Sequence, residues 1–388
     1  MQPLIKLAPK GLRWLRSGHL WVYRDDLQPH GAVDSGEIVR VEAPHGIFLG
    51  QGFYSQKSKI ALRLISDQEG PADVEFFRGL IERARDRRAG YFSPETACRL
   101  VSAEGDLFPG LIADWYAGHL VLQTLVPGTA RLEPMLIELF DQLFSPASIT
   151  LRNDAAMREL EGLDQEKRMA KGEPQRAVPV REGEARWLSD LWEGHKTGAY
   201  LDQRENRIAA RTLARGRALD AFCYQGHFSL QLAGGCDEVL ALDGSAPALD
   251  RLRQNCELNG IGNVRARKAN VFDELARLDD AGERFDLVVL DPPPFARARK
   301  DLAGAARGYR ELNRRALSLL APGGRLLTYS CSYNLSAEMF LAVLREAGAD
   351  ARRQVWVEAC QTQAADHPRL LAMPETNYLK GFVLAALD

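Results

Sequence analysis

Two short segments of this chain carry residue types that can do chemistry. Asp291-Pro292-Pro293-Pro294-Phe295 sets a carboxylate before a rigid turn, and Ser330-Cys331-Ser332 sets a thiol between two hydroxyls. Each follows an apolar run, Phe285-Asp286-Leu287-Val288-Val289-Leu290 and Gly324-Arg325-Leu326-Leu327-Thr328-Tyr329, that reads as a buried parallel strand. In an open α/β sheet, ligands sit outside the carboxyl ends of the strands. The acid and the thiol are therefore expected in one crevice. That combination suits methyl transfer to a nucleic-acid base through a covalent cysteine intermediate.

The chemistry behind this expectation is specific. C5 of cytosine is a poor nucleophile. A thiolate adding at C6 turns the ring into an enamine whose C5 can attack a methyl sulfonium. Loss of the C5 proton and elimination of the thiol then release the product. The thiolate is the active form, and a free cysteine, with a pKa of about 8.5, needs a cationic neighbour or a helix N-terminus to reach it. A helix capped within Ser332–Ser336 would set Cys331 near a positive dipole end. Prolines after a strand-end acid cannot continue a ladder or start a helix. The turn's carbonyls, that of Pro293 included, and the acid can face a planar ligand, on which Phe295 can stack. Acid-Pro-Pro-aromatic turns also serve methyl transfer to amino nitrogens, so the turn alone leaves the target atom open. A lone cysteine is more often a small buried hydrophobe. That is the expectation for Cys98, Cys236 and Cys360, while Cys223 and Cys256 read as structural.

A second constellation reads as a cofactor site. Ala218–Phe222 is a strand that runs through Cys223, Tyr224 and Gln225 into a turn at Gly226. The next strand ends in Asp243, a carboxylate able to accept from ribose hydroxyls. NAD and S-adenosyl-L-methionine both present such hydroxyls, so Asp243 does not choose between them. No Gly-x-Gly-x-x-Gly is present to cradle a pyrophosphate. Asp220 closes the first strand instead. It suits the cationic sulfonium and amino group of S-adenosyl-L-methionine and would repel a pyrophosphate. Taken singly, Asp220 and Asp243 could each be a solvated turn acid; with Asp291 they converge on one crevice.

The elements that position these residues follow from pattern. Residues 1 to about 70 alternate as half-buried strands do, as in Glu37-Ile38-Val39-Arg40-Val41, and read as a small β-barrel ended by Gly70-Pro71. Val74–Ala89 has a helical period, Leu100–Leu125 returns to strands, and a helix near Arg131–Leu143 precedes a strand at Ser148–Arg152. This is an α+β order. The charged stretch 164–186 reads as an exposed loop or hairpin. From about residue 215 strands and helices alternate, with strands at Arg217–Phe222, Glu238–Asp243, Val264–Lys268, Phe285–Leu290 and Gly324–Ser330. That alternation implies a parallel sheet covered on both faces.

Composition bounds the rest. The 388 residues allow two or three domains, and 46% apolar residues allow sizeable cores. A formal charge of −2 gives no global basic field, so any RNA contact must be local. The six cysteines form no Cys-x-x-Cys pair and the seven histidines no His-x-x-x-His pair, which argues against a metal site or a disulfide scaffold. Lys6, Lys10, Arg13 and Arg16 interrupt any signal-peptide core, and no apolar run spans a bilayer. A cytoplasmic chain with no membrane partner is expected.

The residues resemble a family, the bacterial large-subunit ribosomal RNA cytosine-C5 methyltransferases that carry an N-terminal PUA domain. The resemblance runs along almost the whole chain. It includes Arg16-Ser17-Gly18-His19-Leu20-Trp21-Val22-Tyr23, where Leu20 stands for the family's proline, and Leu100–Leu111, Arg152-Asn153-Asp154 and Arg158–Leu163. It also includes Gly194–Arg207, with His195 where glutamine is usual, and Asp291–Phe295 with Lys300 downstream. Tyr329–Ser332, Asp366-His367-Pro368 and Pro374–Lys380 complete it. The resemblance implies an α/β fold: a C-terminal Rossmann-like, class I methyltransferase sheet (188–388), preceded by a PUA-like β-barrel (1–70) and an α+β middle domain (71–187).

The resemblance also implies roles. S-adenosyl-L-methionine is the expected cofactor, held by Tyr200, Gln203, Asp220, Phe222, Tyr224, Gly226, Asp243, Asn270, Asp291 and Pro292. Asn270 stands where an acid is usual near the adenine; its carbonyl can still accept from the adenine amino group. Cys331 and Asp291 are the expected catalytic pair, although Asp291 could instead hold the cytosine ring. Another branch of RNA cytosine-C5 methyltransferases has a second, release-assisting cysteine near Pro294, and this chain has none there. Large-subunit ribosomal RNA is the expected partner, and a homodimer is compatible with the chain. RNA contacts are expected from Lys196, Arg204, Pro293 and Phe295. On the barrel they are expected from Arg16, His19 and Trp21, where basic groups beside aromatics suit phosphate contact and stacking. Against the phosphate reading stands a core role for Trp21 and Tyr23 with a solvated basic rim. Two rivals remain on the sequence: guanine N-methylation with a structural Cys331, and a non-catalytic RNA-binding assembly factor.

Overall fold

In the computed structural model, which describes residues 2–295 and 301–387, the alternation at Ile38-Val39-Arg40-Val41-Glu42 has its expected result: Val39 and Val41 are fully buried. This strand, β3 (Ile38–Glu42), lies in a five-stranded sheet in the order β1-β3-β4-β5-β2. Its partners are β1 (Leu4–Lys6), β2 (Trp21–Tyr23), β4 (Phe48–Tyr54) and β5 (Ile60–Ser66). One element departs from the β-rich reading: Pro9–Arg16 is a helix, α1. Pro9 opens it, where a missing N–H costs nothing and the fixed φ is already helical.

Helix α2 (Val74–Arg87) leads to a second five-stranded sheet, in the order β10-β9-β8-β7-β6. Its strands are β6 (Ala97–Ser102), β7 (Leu111–Tyr116), β8 (His119–Thr124), β9 (Ser148–Asn153) and β10 (Glu166–Lys171). Between them lie α3 (Pro127–Phe144) and the short α4 (Met157–Glu161). The charged stretch expected as a loop or hairpin is therefore partly an edge strand, β10, antiparallel to β9. Its outward positions are polar because one side of an edge strand has no partner. The remainder forms the hairpin β11 (Val178–Glu182) and β12 (Ala185–Ser189).

The chain divides into two units. The first is Met1–Val180, Ser189–Leu201 and Ala365–Thr376; the second is Arg181–Leu188, Asp202–Ala364 and Asn377–Asp388. The expected boundary at 70/71 does not separate units, because Phe53 and Ile65 of the first sheet pack in one core with Phe77, Leu100, Phe108 and Leu122. The expected boundary at 187/188 is a hand-over, for a polar reason. Arg152 donates to the carbonyl of Gly194 (3.0 Å), and Thr197 donates to Asp114 (2.6 Å), which ties 189–201 to the first unit. Arg88, fully buried, holds Asp106 at 2.6 Å and the Asp366 carbonyl at 2.8 Å, which ties in 365–376.

The second unit is built on a seven-stranded sheet, in the order β15-β14-β13-β16-β17-β19-β18. Its strands are β13 (Arg217–Ala221), β14 (Glu238–Asp243), β15 (Val264–Lys268), β16 (Phe285–Leu290), β17 (Leu320–Ser330), β18 (Val355–Thr362) and β19 (Lys380–Ala386). The first five are parallel, and β19 runs antiparallel between β17 and β18. Helices α5 (Arg204–Arg211), α6 (His227–Ala233), α7 (Ala246–Leu258), α8 (Val271–Asp280), α9 (Leu302–Ser318) and α10 (Ala337–Asp350) fill the connections. Burial on both faces explains the unbroken apolar strands: Leu219, Leu242, Val288, Val289 and Leu290 are all inaccessible. α7 ends as its Gly260 predicts, with that residue left-handed (φ +64°) and the Ile261 N–H on the Cys256 carbonyl at 2.9 Å. The chain builds outward from β13 through β14 to β15, then crosses to β16 on the other side. That reversal between β13 and β16 is where an open α/β sheet leaves a crevice.

Candidate active site

β13 brings Asp220 to the crevice fully buried (1% exposed). Its Oδ2 accepts from the Ser229 N–H (3.0 Å) and hydroxyl (2.6 Å), while Oδ1 has no hydrogen-bond partner. Burial pushes the Asp220 pKa up to about 7; the Ser229 bonds oppose this, and Asp291 and Asp243 add to it. The turn that follows is held in the left-handed region at Phe222 (φ 64°), Tyr224 (φ 49°) and Gly226 (φ 79°). For Phe222 and Tyr224 this stores strain of roughly 1 kcal/mol each. Gly226 is obligatory: a Cβ there would lie 2.0 Å from the Leu252 side chain. Asp243 secures the turn by accepting from the Tyr224 N–H (2.9 Å) and from the Ser245 N–H (2.8 Å). A buried carboxylate with one idle oxygen fits a cationic amino group, which would supply both the missing donor and the missing counter-charge.

That fit has a pH signature. The native state keeps a proton on Asp220 between the ordinary carboxylate range and about pH 7, where the unfolded chain has lost it. Stability of the protein alone therefore falls as pH rises through that window. Binding of a cation against Asp220 must expel the proton, so cofactor affinity should fall about tenfold per pH unit below 7. Calorimetry in buffers of different ionisation enthalpy would count the proton. Equal affinities at pH 6 and 8 would remove Asp220 from this role.

Asn270 caps α8, its Oδ1 accepting from the Phe272 N–H at 3.0 Å. The oxygen's second lone pair is left for an adenine amino group. After β16 comes Asp291, whose Oδ1 accepts from Gln203 Nε2 at 3.0 Å; Gln203 is itself held by Asn206 at 2.6 Å. Pro292 is buried and Pro293 exposed. Phe295 packs on Tyr309 (ring centroids 4.6 Å) at the edge of the core and is partly buried. Lys300 lies outside the described residues. Arg204 is buried and paired with Glu205 at 2.7 Å.

Cys331 leaves the end of β17 half-buried. β16 and β17 are paired neighbours, with Leu290 opposite Thr328, so Asp291 and Cys331 leave adjacent strands at the same end of the sheet. The helix cap expected within Ser332–Ser336 falls at the far end of that segment. α10 starts at Ala337 and is capped by Ser336 alone, more than a turn of chain beyond the cysteine. Ser330 and Ser332 instead share the buried Tyr309 hydroxyl at 3.0 Å each. Cys98 and Cys236 are buried as expected, and burial pushes the thiols of Cys223 and Cys256 up. Cys360 is exposed, contrary to expectation, because it sits on the edge strand β18.

Three residues of this site were missed from sequence. Arg207 is buried beside Glu182, and its charge also reaches Asp202 and Asp291. Tyr309 and Lys380 flank Cys331. Their signal was weak: Lys380 opens an apolar stretch, while Arg207 and Tyr309 sit among charged residues on helices.

In the first unit, Arg16 is exposed on α1 and lines a cleft of about 760 Å³ with His19, Phe48, Phe76 and Arg83. His19 is buried. Its Nδ1 accepts from the Trp21 N–H (3.1 Å), its Nε2 meets Glu375 (3.2 Å), and its ring stacks on the exposed Trp14. Trp21 donates from Nε1 to Glu104 at 2.8 Å. His19 and Trp21 are thus engaged with protein partners, and Trp14, not singled out from sequence, offers the exposed ring. Lys196 sits over the Tyr200 ring at 4.5 Å, and both belong to the first unit. Among the described residues no cluster could hold a metal ion, and no helix is long and apolar enough to cross a membrane.

Comparison with known proteins agrees with this geometry. A PUA-like domain model matches residues 5–67, and a model described as S-adenosylmethionine-dependent methyltransferase matches 99–368. The chain is 39% identical over 378 residues to the ribosomal RNA large subunit methyltransferase I of Aeromonas hydrophila subsp. hydrophila, covering 95% of each chain. It is 38% identical to the protein of that name from Vibrio cholerae, covering 100% of both. Its fold matches that of SMU.776, a methyltransferase solved in complex with SAH, with a TM-score of 0.86 over 99% of this chain and 100% of that one, at 21% identity.

Proposed function

Because the chain belongs to the S-adenosylmethionine-dependent methyltransferase family, we propose that it methylates C5 of a specific cytosine in large-subunit ribosomal RNA, with Cys331 as covalent nucleophile. The observation that carries this reading is the pairing of β16 with β17, which sends Asp291 and Cys331 out of one end of the sheet. Bound S-adenosylmethionine supplies an electrophilic methyl carbon. Asp220 takes its cationic amino group and Asp243 its ribose hydroxyls. Asp291, oriented by Gln203, faces the base or receives the C5 proton. Cys331 adds to C6 as a thiolate, C5 becomes nucleophilic, and after methylation loss of the C5 proton expels the thiolate. The target base has to leave its stack to reach the thiol. The exposed Arg13, Trp14 and Arg16 of α1 suit phosphate contact and stacking on RNA.

Large-subunit RNA carrying 5-fluorocytidine tests the reading directly. Fluorine at C5 cannot leave as a cation, so elimination stalls and the protein should stay joined to RNA through Cys331. Peptide mapping locates the bond, and an adduct that forms equally well in Cys331→Ala would refute the assignment. The half-burial of Cys331 against an apolar cluster favours the second reading, guanine N-methylation with a structural cysteine. Nucleoside mass spectrometry separates the two, since methylguanosine as product excludes the C5 reaction.

A further inference from the structure

Lys380 opens β19 opposite Ser330, the last residue of β17, and is only 7% exposed. A lysine is rarely buried to this degree unless it is paired. Its Nζ donates to the Ser332 carbonyl at 2.7 Å and to the Tyr378 carbonyl at 2.8 Å. Both acceptors are neutral, and among the described residues no carboxylate forms an ion pair with it. An ammonium has three donors, so one remains beyond these two bonds. The residue whose charge acts on it is Cys331.

We propose that Lys380 is a positioning residue that keeps Cys331 in its thiolate form and fixes the direction in which the sulfur points. The proposal rests on Cys331 being the nucleophile of the methyl transfer. The thiol proton passes to solvent, no other bond breaks, and the resulting thiolate–ammonium pair supplies the counter-ion that the buried lysine lacks. Burial draws Lys380 down to about 8 against the opposing charge of Cys331. Among the described residues, Tyr309 of α9 also faces this segment. Burial raises its pKa, so it stays a neutral hydroxyl that clamps Ser330 and Ser332 without supplying charge. Asp291 and Asp220 reach the preceding Tyr329, which burial and Asp291 keep protonated. Lys380 is thus a cation held against the thiol's own segment. The short link from Nζ through the Ser332 carbonyl also ties the cation rigidly to the thiol's own loop.

The test is the rate of iodoacetamide alkylation of Cys331 as a function of pH, followed on the Cys331 peptide of the full-length protein by mass spectrometry. Lys380→Met should move the midpoint up by at least about one pH unit and slow alkylation at pH 7 about tenfold, as expected for loss of an adjacent opposite charge. Lys380→Arg should keep the midpoint near that of the unaltered protein. Tyr309→Phe, which loosens the same segment without removing charge, should leave it unchanged. A Lys380→Met midpoint equal to the unaltered protein's, or a Tyr309→Phe shift as large as that of Lys380→Met, overturns the proposal. The readout needs no RNA and no methyl transfer. Failure of the cytosine reading would appear separately, as absence of the fluorocytidine adduct in the unaltered protein.

Discussion

Cys331→Ala should lower kcat for RNA methylation by about 10⁴-fold or more while leaving cofactor affinity within about twofold. The expected loss is large because the neighbouring hydroxyls cannot replace the thiolate at C6. Ser330 and Ser332 have their hydroxyls committed to Tyr309, and at neutral pH a hydroxyl is a far weaker nucleophile than a thiolate. The expected sparing of the cofactor follows from position. Asp220, the strained turn and Asp243 sit at the ends of β13 and β14, and the two acids bond Ser229, Tyr224 and Ser245. The half-buried side chain loses little on truncation, so stability should change by less than about 1 kcal/mol. Single-turnover methylation with cofactor binding measured alongside decides the matter. A variant that keeps a tenth of the rate would end the covalent reading and leave Cys331 as packing. Cys331→Ser sharpens the result, since it preserves size and polarity and should be nearly as inactive.

The parts of this molecule that could be read from sequence are those where one physical constraint acts alone. Buried parallel strands must be apolar throughout, so β13, β14 and β16 were placed within a residue or so, and the acids that end them stood out as Asp220, Asp243 and Asp291. The helix α7 was legible because its apolar face and its glycine stop agree. β18 and α1 were not legible. Trp356, Val357 and Cys360 are exposed on an edge strand with no alternation, and α1 is short enough that its basic residues mask its period. The site failed in a related way. A buried lysine or arginine looks in sequence like any solvated one, because what buries it is a strand or helix distant along the chain. Lys380 is aligned with Ser330 by the antiparallel β17–β19 register, and Arg207 is matched with Glu182 from the β11–β12 hairpin. The cap expected within Ser332–Ser336 is Ser336, the last residue of that range, five residues beyond the thiol.

Arg207→Met should destabilise the second unit by about 3–5 kcal/mol and also depress methyl transfer. The guanidinium is 2% exposed and holds both oxygens of Glu182, at 2.7 and 2.5 Å. Burial works against its charge, but Glu182, then Asp202 and Asp291, more than offset this and hold its pKa above the ordinary value. Removing it strands a carboxylate that is 5% exposed, which is the costly way to break a buried pair. Replacing both partners is different: with Arg207→Met and Glu182→Met together, no buried charge is left over from the pair, and most of the lost stability should return. Activity should not return with it. The second substitution does nothing for Asp291, which still lacks the cation whose field reached it. Urea unfolding and kcat measured on the two single variants and the double variant therefore separate the pair's structural role from its electrostatic one. If stability and kcat recover together in the double variant, Arg207 acts on the site only by holding Glu182. If stability recovers and kcat does not, Arg207 balances the negative charge that Asp220, Asp243 and Asp291 concentrate at the crevice.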